Sequence, residues 1–383
     1  MKRRFGAICL VLLTIATLAT PMVSSAATKT VPVSSVTVIP GSASLYVGDT
    51  RQLTVTVNPA DQVSQKVTYK SSKTSVATVT QSGLVKGKAA GSAKITITSS
   101  ANKKKAKTIS ITVKRRPKLR VLSIGNCKYR MDQLLGPWYD IRNIADLYRL
   151  SKLAGKPPAK NVVKDDRTIA QMKKDITSTF KDAKSGDVSV FYYSGHGIAN
   201  YNATKFFSIA GVNFNGSKDY MLIKDLRAQL QKIPGTVVVI LDCCFSGAFP
   251  AGKSARAVTS DFNRAVIQEF GGSSKGISSK FRVLTASKYN QSSHEFRMEG
   301  YAFGMFTQAI VEGIIDEDAN GTPFLALYCD TNGDGIVELR ELYNFTRNWT
   351  VAFLTQYREQ EPISSADVQV YPNNSSFAVF DFR

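Results

Sequence analysis

Two apolar segments that lead directly into reactive side chains constrain the fold of this chain more than any other feature. Residues 237–241 are β-branched or otherwise apolar and run into Asp-Cys-Cys-Phe-Ser-Gly at 242–247. An equally apolar segment, 188–193, leads into Ser-Gly-His-Gly at 194–197. Short apolar runs of this kind are typical of strands buried on both faces of a parallel sheet. Because the carboxyl ends of parallel strands meet at one sheet edge, the pattern predicts a thiol–imidazole site there, as in a cysteine hydrolase.

Each motif has a purely structural interpretation when it is taken alone. Cysteine is among the most buried residue types, and a histidine flanked by glycines can be an ordinary turn residue. Side chains alternate between the two faces of a strand, so Asp242 and Cys244 are expected on one face and Cys243 on the other. The sequence therefore favours Cys244 as the reactive thiol and Cys243 as a packing residue, in preference to a sterically awkward disulfide between the two.

The two motifs together resemble those of the caspase–metacaspase superfamily, and its bacterial metacaspase-like members most. The hallmark of that family is a Ser-Gly-His-Gly strand end followed by Asp-x-Cys-x-Ser-Gly. The similarity covers most of residues 118–383, and it includes the segments at 119–125, 136–140, 284–287 and 304–307. The pentapeptide that surrounds the nucleophile in human-type caspases is absent, which argues against the branch that cleaves after aspartate.

The resemblance implies a cysteine endopeptidase with a catalytic dyad of Cys244 and His196. The amides of Gly197 and Cys244 would form the oxyanion hole. The metacaspase branch prefers Arg or Lys before the scissile bond, and the acidic residues of its pocket match Asp242 and, more loosely, Asp140. A buried guanidinium needs carboxylate partners, which agrees with this assignment. The alternative for Asp140 is an acid in the first turn of a helix, where negative charge is favoured.

A long segment, 250–280, links the nucleophile strand to the next strand, and it is rich in Ser and Gly. The corresponding linker is often cut by the enzyme itself in this superfamily. The basic residues in it are Lys253, Arg256, Arg264, Lys275 and Lys280. Self-processing here, or at the basic stretch 114–116, is therefore a hypothesis. His294 is the second of two histidines in the chain, and we interpret it as a solvated loop residue.

Residues 330–341 have the spacing of an EF-hand calcium loop. Oxygen ligands are required at loop positions 1, 3, 5, 9 and 12, a backbone carbonyl at position 7 and a glycine at position 6. Gly335 occupies position 6, and the expected ligands are Asp330, Asn332, Asp334, Ile336, Glu338 and Glu341. A helix is predicted after the loop, at 342–357, whereas Gly-Thr-Pro at 321–323 interrupts the segment before it. The sequence thus predicts a single Ca²⁺ loop, and we expect no organic cofactor.

The remaining sequence predicts an exported protein of two domains. Residues 1–27 have the basic start, short apolar run and small-residue end of a secretory signal peptide. Residues 31–114 alternate Thr, Val and Ser between turn residues, as in a small all-β sandwich, and they resemble the bacterial group 2 immunoglobulin-like domain. A basic linker at 115–118 leads into an α/β domain at 119–383, with a mostly parallel sheet and flanking helices. The sequence also allows a disulfide between Cys127 and Cys329.

The net charge of +21 is spread along the chain and not concentrated in a nucleic-acid-binding motif. We therefore expect a protein or peptide substrate, no nucleic acid and no membrane span, and a secreted or cell-wall-associated location with anionic wall polymers as possible partners. Two alternatives are a non-catalytic surface-binding protein with a relic peptidase domain, and a thiol hydrolase or transpeptidase acting on wall peptides.

Overall fold

The computed structural model describes residues 31–130, 133–155, 157–200, 206–245, 266–267, 269–270, 280–286, 296–298, 301–356 and 368–383. The chain divides into two compact units, Met1–Arg115 and Arg116–Arg383. This division falls at the basic stretch 115–118. The predicted signal peptide lies outside the described residues.

The first unit is an all-β domain of nine short strands, as the alternating sequence predicts. The strands are β1 Ser35–Ile39, β2 Ser42–Tyr46, β3 Thr50–Gln52, β4 Thr54–Asn58, β5 Val67–Ser71, β6 Ala77–Val79, β7 Leu84–Gly87, β8 Gly91–Ser99 and β9 Ala106–Lys114. They form sheets in the orders β2-β9-β8-β5, β3-β7-β6 and β1-β4. Alternate residues of β8 and β9 are buried, and Ile95, Ile97 and Ile111 are fully enclosed. The period-two pattern thus builds the core of this domain.

The second unit alternates strands and helices. Its helices are α1 Gly136–Leu150, α2 Ile169–Phe180, α3 Ile223–Gln231, α4 Met305–Glu312 and α5 Leu339–Gln356. Its strands are β10 Leu119–Gly125, β11 Lys160–Asp165, β12 Val188–Asn200, β13 Phe206–Ala210, β14 Tyr220–Leu222, β15 Thr236–Phe245, β16 Phe281–Thr285, β17 Phe296–Met298, β18 Tyr301–Phe303, β19 Ile315–Glu317, β20 Pro323–Leu325, β21 Ile336–Glu338, β22 Gln369–Tyr371 and β23 Ala378–Asp381.

The main sheet has the order β11-β10-β12-β15-β16-β22, with β13 and β14 attached beyond β12. The first five strands are parallel to one another, and β22 is antiparallel. Parallel neighbours need crossover connections, which α1, α2 and α3 provide. The predicted α/β class with a mostly parallel sheet is therefore confirmed.

Each face of the sheet is covered by its own apolar cluster. One cluster packs α1, α4 and α5 against alternate residues such as Tyr192, Val238 and Ile240. The other packs α2 and α3 against the residues in between, including Tyr193 and Cys243. This separation follows from strand alternation in a sheet buried on both faces. The central strands are consequently fixed from both sides.

Local sequence signals start the helices. Thr168 and Gln171 form a reciprocal capping box at α2, and Pro137 lies in the first turn of α1, where its missing N–H is not needed. Helix α4 begins at Met305, directly after β18 and Gly304. The helix predicted from residue 342 begins three residues earlier, at Leu339.

A buried ion pair ties the start of the sheet together. Arg120 donates to Asp187 at 2.9 Å, and both side chains are nearly inaccessible. The same carboxylate accepts the amides of Lys118 at 2.8 Å and Lys184 at 3.0 Å.

Within the described part of the chain, none of the helices combines the length and apolar character that a membrane span requires.

Candidate active site

The two motifs meet where β12 and β15 run side by side. The strands pair in parallel from Val188 with Thr236 onwards, and the same register places His196 opposite Cys244. Both strands extend beyond the apolar segments 188–193 and 237–241 and continue through the motifs. The cause is continued pairing: β15 follows β12 as far as Phe245, and β13 pairs with β12 from Gly197 onwards. His196 and the backbone of Cys244 therefore lie within paired strands.

The structure describes the backbone of Cys244 but not its side chain. Cys243 is 4% exposed and packs in the cluster under α2 and α3. Asp242 is also 4% exposed and contacts α4, on the opposite face of the sheet. The alternation expected for residues 242 and 243 is thus observed.

His196 is buried, and two tyrosines enclose its backbone. The phenol oxygen of Tyr129 accepts the His196 amide at 2.9 Å, and the hydroxyl of Tyr193 donates toward the His196 carbonyl at 3.0 Å. The two hydroxyls are 3.0 Å apart. Gly195 has a φ of +154°, and a Cβ there would lie 2.5 Å from the Tyr129 hydroxyl oxygen. Only glycine fits beside this tyrosine pair.

Asp140 and Asp242 come together on either side of Gly304, although 102 positions separate them in the sequence. A Cβ built on Gly304 would lie 2.4 Å from Asp242 Oδ2 and 2.7 Å from Asp140 Oδ2. The two carboxylates are 0% and 4% exposed. The structure therefore creates a buried, doubly acidic position next to the strand that carries Cys244.

Each carboxylate is held by hydrogen-bond donors. Asp140 accepts the Ser194 hydroxyl at 2.7 Å and the Gly304 amide at 2.9 Å. Asp242 accepts both the amide and the hydroxyl of Thr307, at 3.1 Å and 2.6 Å. Donors of this kind favour the ionised form of a carboxyl group. The site is accordingly suited to a cationic group.

Tyr192 lies close to both carboxylates. Burial, followed by the negative charges of Asp140 and Asp242, raises the pKa of the Tyr192 phenol well above its usual value. Tyr192 shares a hydrogen bond with Thr307 at 2.5 Å. The phenol thus stays protonated and belongs to the same polar group as both acids.

The alternative interpretation of Asp140 as an acid of the first helical turn does not fit the structure. Helix α1 begins at Gly136 and has no acidic residue in its first turn. The Asp140 carboxylate is instead used in contacts with Ser194 and Gly304. Its position is set by tertiary contacts and not by the helix dipole.

Aromatic residues precede both Asp140 and Gly304 in the sequence, and their side chains contact one another. Tyr139 contacts Trp138 and Tyr301, with ring centroids 4.9 Å and 4.5 Å apart. The Arg142 guanidinium stands 3.7 Å from the centroid of the Trp138 ring, which is 45% exposed. These side chains form an aromatic group that also holds the Arg142 guanidinium.

Sequence reasoning missed Tyr129, Ser194, Gly304 and Thr307 as members of the site. Ser194, Gly304 and Thr307 lie in segments that carried the family resemblance, so their motifs could have drawn attention to them. Nothing local marks Tyr129, which is 67 residues from His196. His294 and most of 250–280 lie outside the described residues.

The predicted calcium loop folds around its first residue. Asp330 accepts the amides of Gly333 at 2.9 Å and Gly335 at 2.8 Å, and Gly335 has the left-handed φ of +75° that the sharp turn requires. Asn332 and Asp334 accept the amides two residues further on, at 2.9 Å and 2.8 Å.

The last loop residue, Glu341, is buried and accepts the amides of Thr331 at 3.1 Å and Glu338 at 3.0 Å. Among the described residues, no group of three or more His, Cys, Asp or Glu side chains is gathered as a metal site. The backbone form and the oxygen-only donor set nevertheless fit Ca²⁺, whose ligands would also include Asn332 and the Ile336 carbonyl.

The segment before the loop is the β19–β20 hairpin and not a helix, as the break at 321–323 predicts. Cys127 and Cys329 are not joined in a disulfide. Burial raises the pKa of the Cys329 thiol to about 12, so it is inert at neutral pH.

Two protein-family models match the chain. The caspase domain matches residues 118–341, and the bacterial Ig-like domain (group 2) matches residues 32–109. Domains of the second family are typical of bacterial surface proteins.

Individual similarities are more distant. A protein of known structure from Geobacter sulfurreducens is 15% identical, with a TM-score of 0.41, over 67% of this chain and 93% of its own. Caspase-1 from Spodoptera frugiperda is 10% identical, with a TM-score of 0.37, over 61% of this chain and 77% of its own. A 3-O-alpha-D-galactosyl-alpha-L-arabinofuranosidase of Bifidobacterium longum subsp. longum is 41% identical over 73 residues, which are 19% of this chain and only 6% of that enzyme.

Proposed function

The chain belongs to the caspase-domain family and so to a superfamily of cysteine peptidases, and we propose that it is a cysteine endopeptidase that cleaves after Arg or Lys. One observation carries this proposal. The register of β12 and β15 sets His196 opposite Cys244, and Asp242, two residues from Cys244, shares a buried acidic position with Asp140.

The proposed reaction is acyl transfer through a thioester. His196 takes the proton of the Cys244 thiol, and the thiolate sulfur attacks the carbonyl carbon of the scissile peptide. The tetrahedral intermediate breaks its C–N bond, and His196 returns the proton to the leaving amine. Water then attacks the thioester and releases the acid and the free thiol. The amides of Gly197 and Cys244 are proposed to stabilise the oxyanion.

Charge supports the preference for a basic residue. A guanidinium that reaches the carboxylates of Asp140 and Asp242 would form charge-assisted hydrogen bonds with them, which are stronger than neutral ones. A carboxylate in the same position would meet two buried negative charges. The donors from Ser194, Gly304 and Thr307 fix both acids beforehand, so little reorganisation is needed on binding.

Paired fluorogenic peptides that differ only in Arg or Asp before the scissile bond test the proposal. The wild-type chain is expected to cleave the Arg peptide, and Cys244→Ala and His196→Ala to lose that cleavage. Cys243→Ala is the matched control, because this thiol is buried on the other face of the sheet. Cleavage of neither peptide by calcium-loaded protein, or equal cleavage by Cys244→Ala, would contradict the assignment.

Self-processing in the long linker is part of the same proposal. Among its basic residues, Lys280 is a poor target: its carbonyl accepts the Val237 amide at 2.8 Å, and its amine donates to the carbonyls of Ile233 and Gly235. We expect cleavage after Lys253, Arg256, Arg264 or Lys275 instead. Mass spectrometry of protein incubated with calcium identifies the cut, and an intact chain that still cleaves peptides would exclude self-processing.

A calcium ion bound by residues 330–341 is proposed to be structural. The loop connects directly to α5, and its strand β21 pairs with β23 near the end of the chain. Ca²⁺ would neutralise the carboxylates of Asp330, Asp334 and Glu341 and fix the start of α5. The ion takes no part in the proposed reaction.

A second function, attachment to anionic wall polymers after export, is favoured by the charge of the first unit. Residues 31–115 contain thirteen Lys and Arg but only two acidic residues, Asp49 and Asp61. Most of these cations are exposed. Co-sedimentation of the Cys244→Ala chain with purified walls, before and after removal of their phosphate polymers, tests this; unchanged sedimentation would exclude such binding.

A further inference from the structure

Two buried tyrosines of the second unit, Tyr129 and Tyr193, contact the backbone of His196. Tyr129 follows β10, and Tyr193 lies on β12 three residues before His196. Both side chains are fully enclosed, at 1% and 0% exposure. Neither lies among the residues proposed to contact the substrate, so an effect on the reaction would have to pass through His196.

The hydrogen bonds of this pair run in one direction. The His196 amide donates to the phenol oxygen of Tyr129, and the hydroxyl proton of Tyr129 is donated to the phenol oxygen of Tyr193. Tyr193 then donates to the carbonyl of Ala210 at 2.8 Å or to that of His196 at 3.0 Å. Burial raises the pKa of both phenols, so each keeps its proton. The chain of donors fixes the His196 N–H through Tyr129 and ends, through Tyr193, at the carbonyl of Ala210 or of His196.

The ring of Tyr129 makes a second contact with the same residue. Its centroid is 4.3 Å from that of the His196 imidazole, at an interplanar angle of 41°. An aromatic face attracts a neighbouring cation, so this contact favours the protonated imidazolium over the neutral ring. Other titratable groups near His196 are Tyr193 on the same strand, Cys244 opposite it on β15, and Cys243, which lies near Tyr193.

We infer that Tyr129 is a positioning residue for His196: its hydroxyl fixes the backbone of the histidine, and its ring stabilises the imidazolium that forms when Cys244 is deprotonated. The inference rests on the proposed function only in assigning His196 as the base. The contacts themselves can be tested without any substrate.

Histidine titration by NMR provides that test, because the chain has only two histidines. In the His294→Gln, Cys244→Ala background, signals of labelled histidine belong to His196 alone. Replacing Tyr129 by Leu removes the ring and is expected to lower the pKa of His196 by about half a unit, as a cation–aromatic contact of ordinary strength predicts. Tyr129→Phe keeps the ring and is expected to leave this pKa unchanged.

Activity of the Tyr129→Phe chain tests the hydroxyl. The variant leaves the buried His196 amide without its acceptor, so kcat is expected to fall by about five- to tenfold with little change in KM. Tyr148→Phe is the matched control: Tyr148 is equally buried, on α1, and its hydroxyl has no hydrogen-bond partner in the described part of the chain. This control should keep both kcat and the His196 pKa.

The ring, the hydroxyl and the proposed function are each tested by a different result. An unchanged pKa of His196 in folded Tyr129→Leu protein would overturn the role of the ring, and full kcat in Tyr129→Phe would overturn that of the hydroxyl. A wild-type chain that cleaves no peptide would refute the proposed function, while the titration would still test the contact between Tyr129 and His196.

Discussion

Gly304 offers the sharpest test of the acidic position, because it separates the two carboxylates. Its φ of −71° suits any residue, so Gly304→Ala changes only the space available. The added Cβ would lie 2.4 Å from Asp242 Oδ2, and ordinary contact begins at 3.4 Å, so that oxygen would have to move by about 1.0 Å. The same oxygen is held at 2.6 Å by the Thr307 hydroxyl, and a movement of that size would break the bond.

Overpacking of this kind lowers the free energy of unfolding by about 1–3 kcal/mol. For a unit of this size, Tm should fall by about 3–10 °C. Displaced carboxylates should also lower kcat/KM for the Arg peptide by about 10- to 100-fold, since each factor of ten corresponds to about 1.4 kcal/mol of transition-state stabilisation.

Differential scanning fluorimetry and steady-state cleavage of the Arg peptide measure the two effects of Gly304→Ala. Gly41→Ala is the control, because nothing lies within 4 Å of a Cβ at that position. If Gly304→Ala kept both the Tm and the kcat/KM of the wild type, the reasoning about a tight acidic position would be refuted.

Three further perturbations follow from the same contacts. Asp242→Asn should lower kcat/KM for the Arg peptide by about 10- to 100-fold through loss of a charged hydrogen bond. Glu312→Gln on α4 is the control and should leave kcat/KM unchanged. If Asp242→Asn had the same kcat/KM as the wild type, Asp242 would not belong to the pocket. Calcium at about 100 times its Kd should raise the free energy of unfolding by about 2.7 kcal/mol. This gain should vanish on chelation and in Glu341→Gln, but it should persist in the control variant Asp318→Asn. A Tm that does not change on chelation would rule the ion out. Asp187→Ala should lower the free energy of unfolding by about 3–5 kcal/mol in chemical denaturation, because it leaves the buried Arg120 without its counter-charge. Asp165→Ala, in a half-exposed pair with Arg142, should lower it by about 1 kcal/mol or less. Similar losses in both variants would contradict the burial argument.

The sequence was sufficient for the architecture because the relevant signals are local. Continuous apolar segments predicted the parallel strands, and alternating Thr and Val predicted the sandwich of the first unit. The predicted calcium loop is likewise a contiguous pattern, and its left-handed backbone turn at Gly335 agrees with the glycine expected there.

The extent of β12 and β15 could not be predicted, since Gly195 and Gly197 resemble turn residues. The strand persists there because β15 pairs with it throughout, while β10 pairs with it up to Ser194 and β13 from Gly197 onwards. The contacts of Asp140 with Ser194 and Gly304, and of Tyr129 with His196, join segments 54 to 164 residues apart. No local pattern encodes such contacts, so only the folded chain reveals them.

Covalent labelling tests the central assignment most directly. A short peptide that ends in an arginyl chloromethyl ketone carries the proposed specificity residue next to a thiol-alkylating carbon, and mass spectrometry locates the adduct. The account predicts one adduct, on Cys244, that is lost in His196→Ala and slowed in Asp242→Asn, with Cys127, Cys243 and Cys329 unmodified. An adduct on another cysteine, or equally fast labelling by the aspartyl analogue, would contradict it.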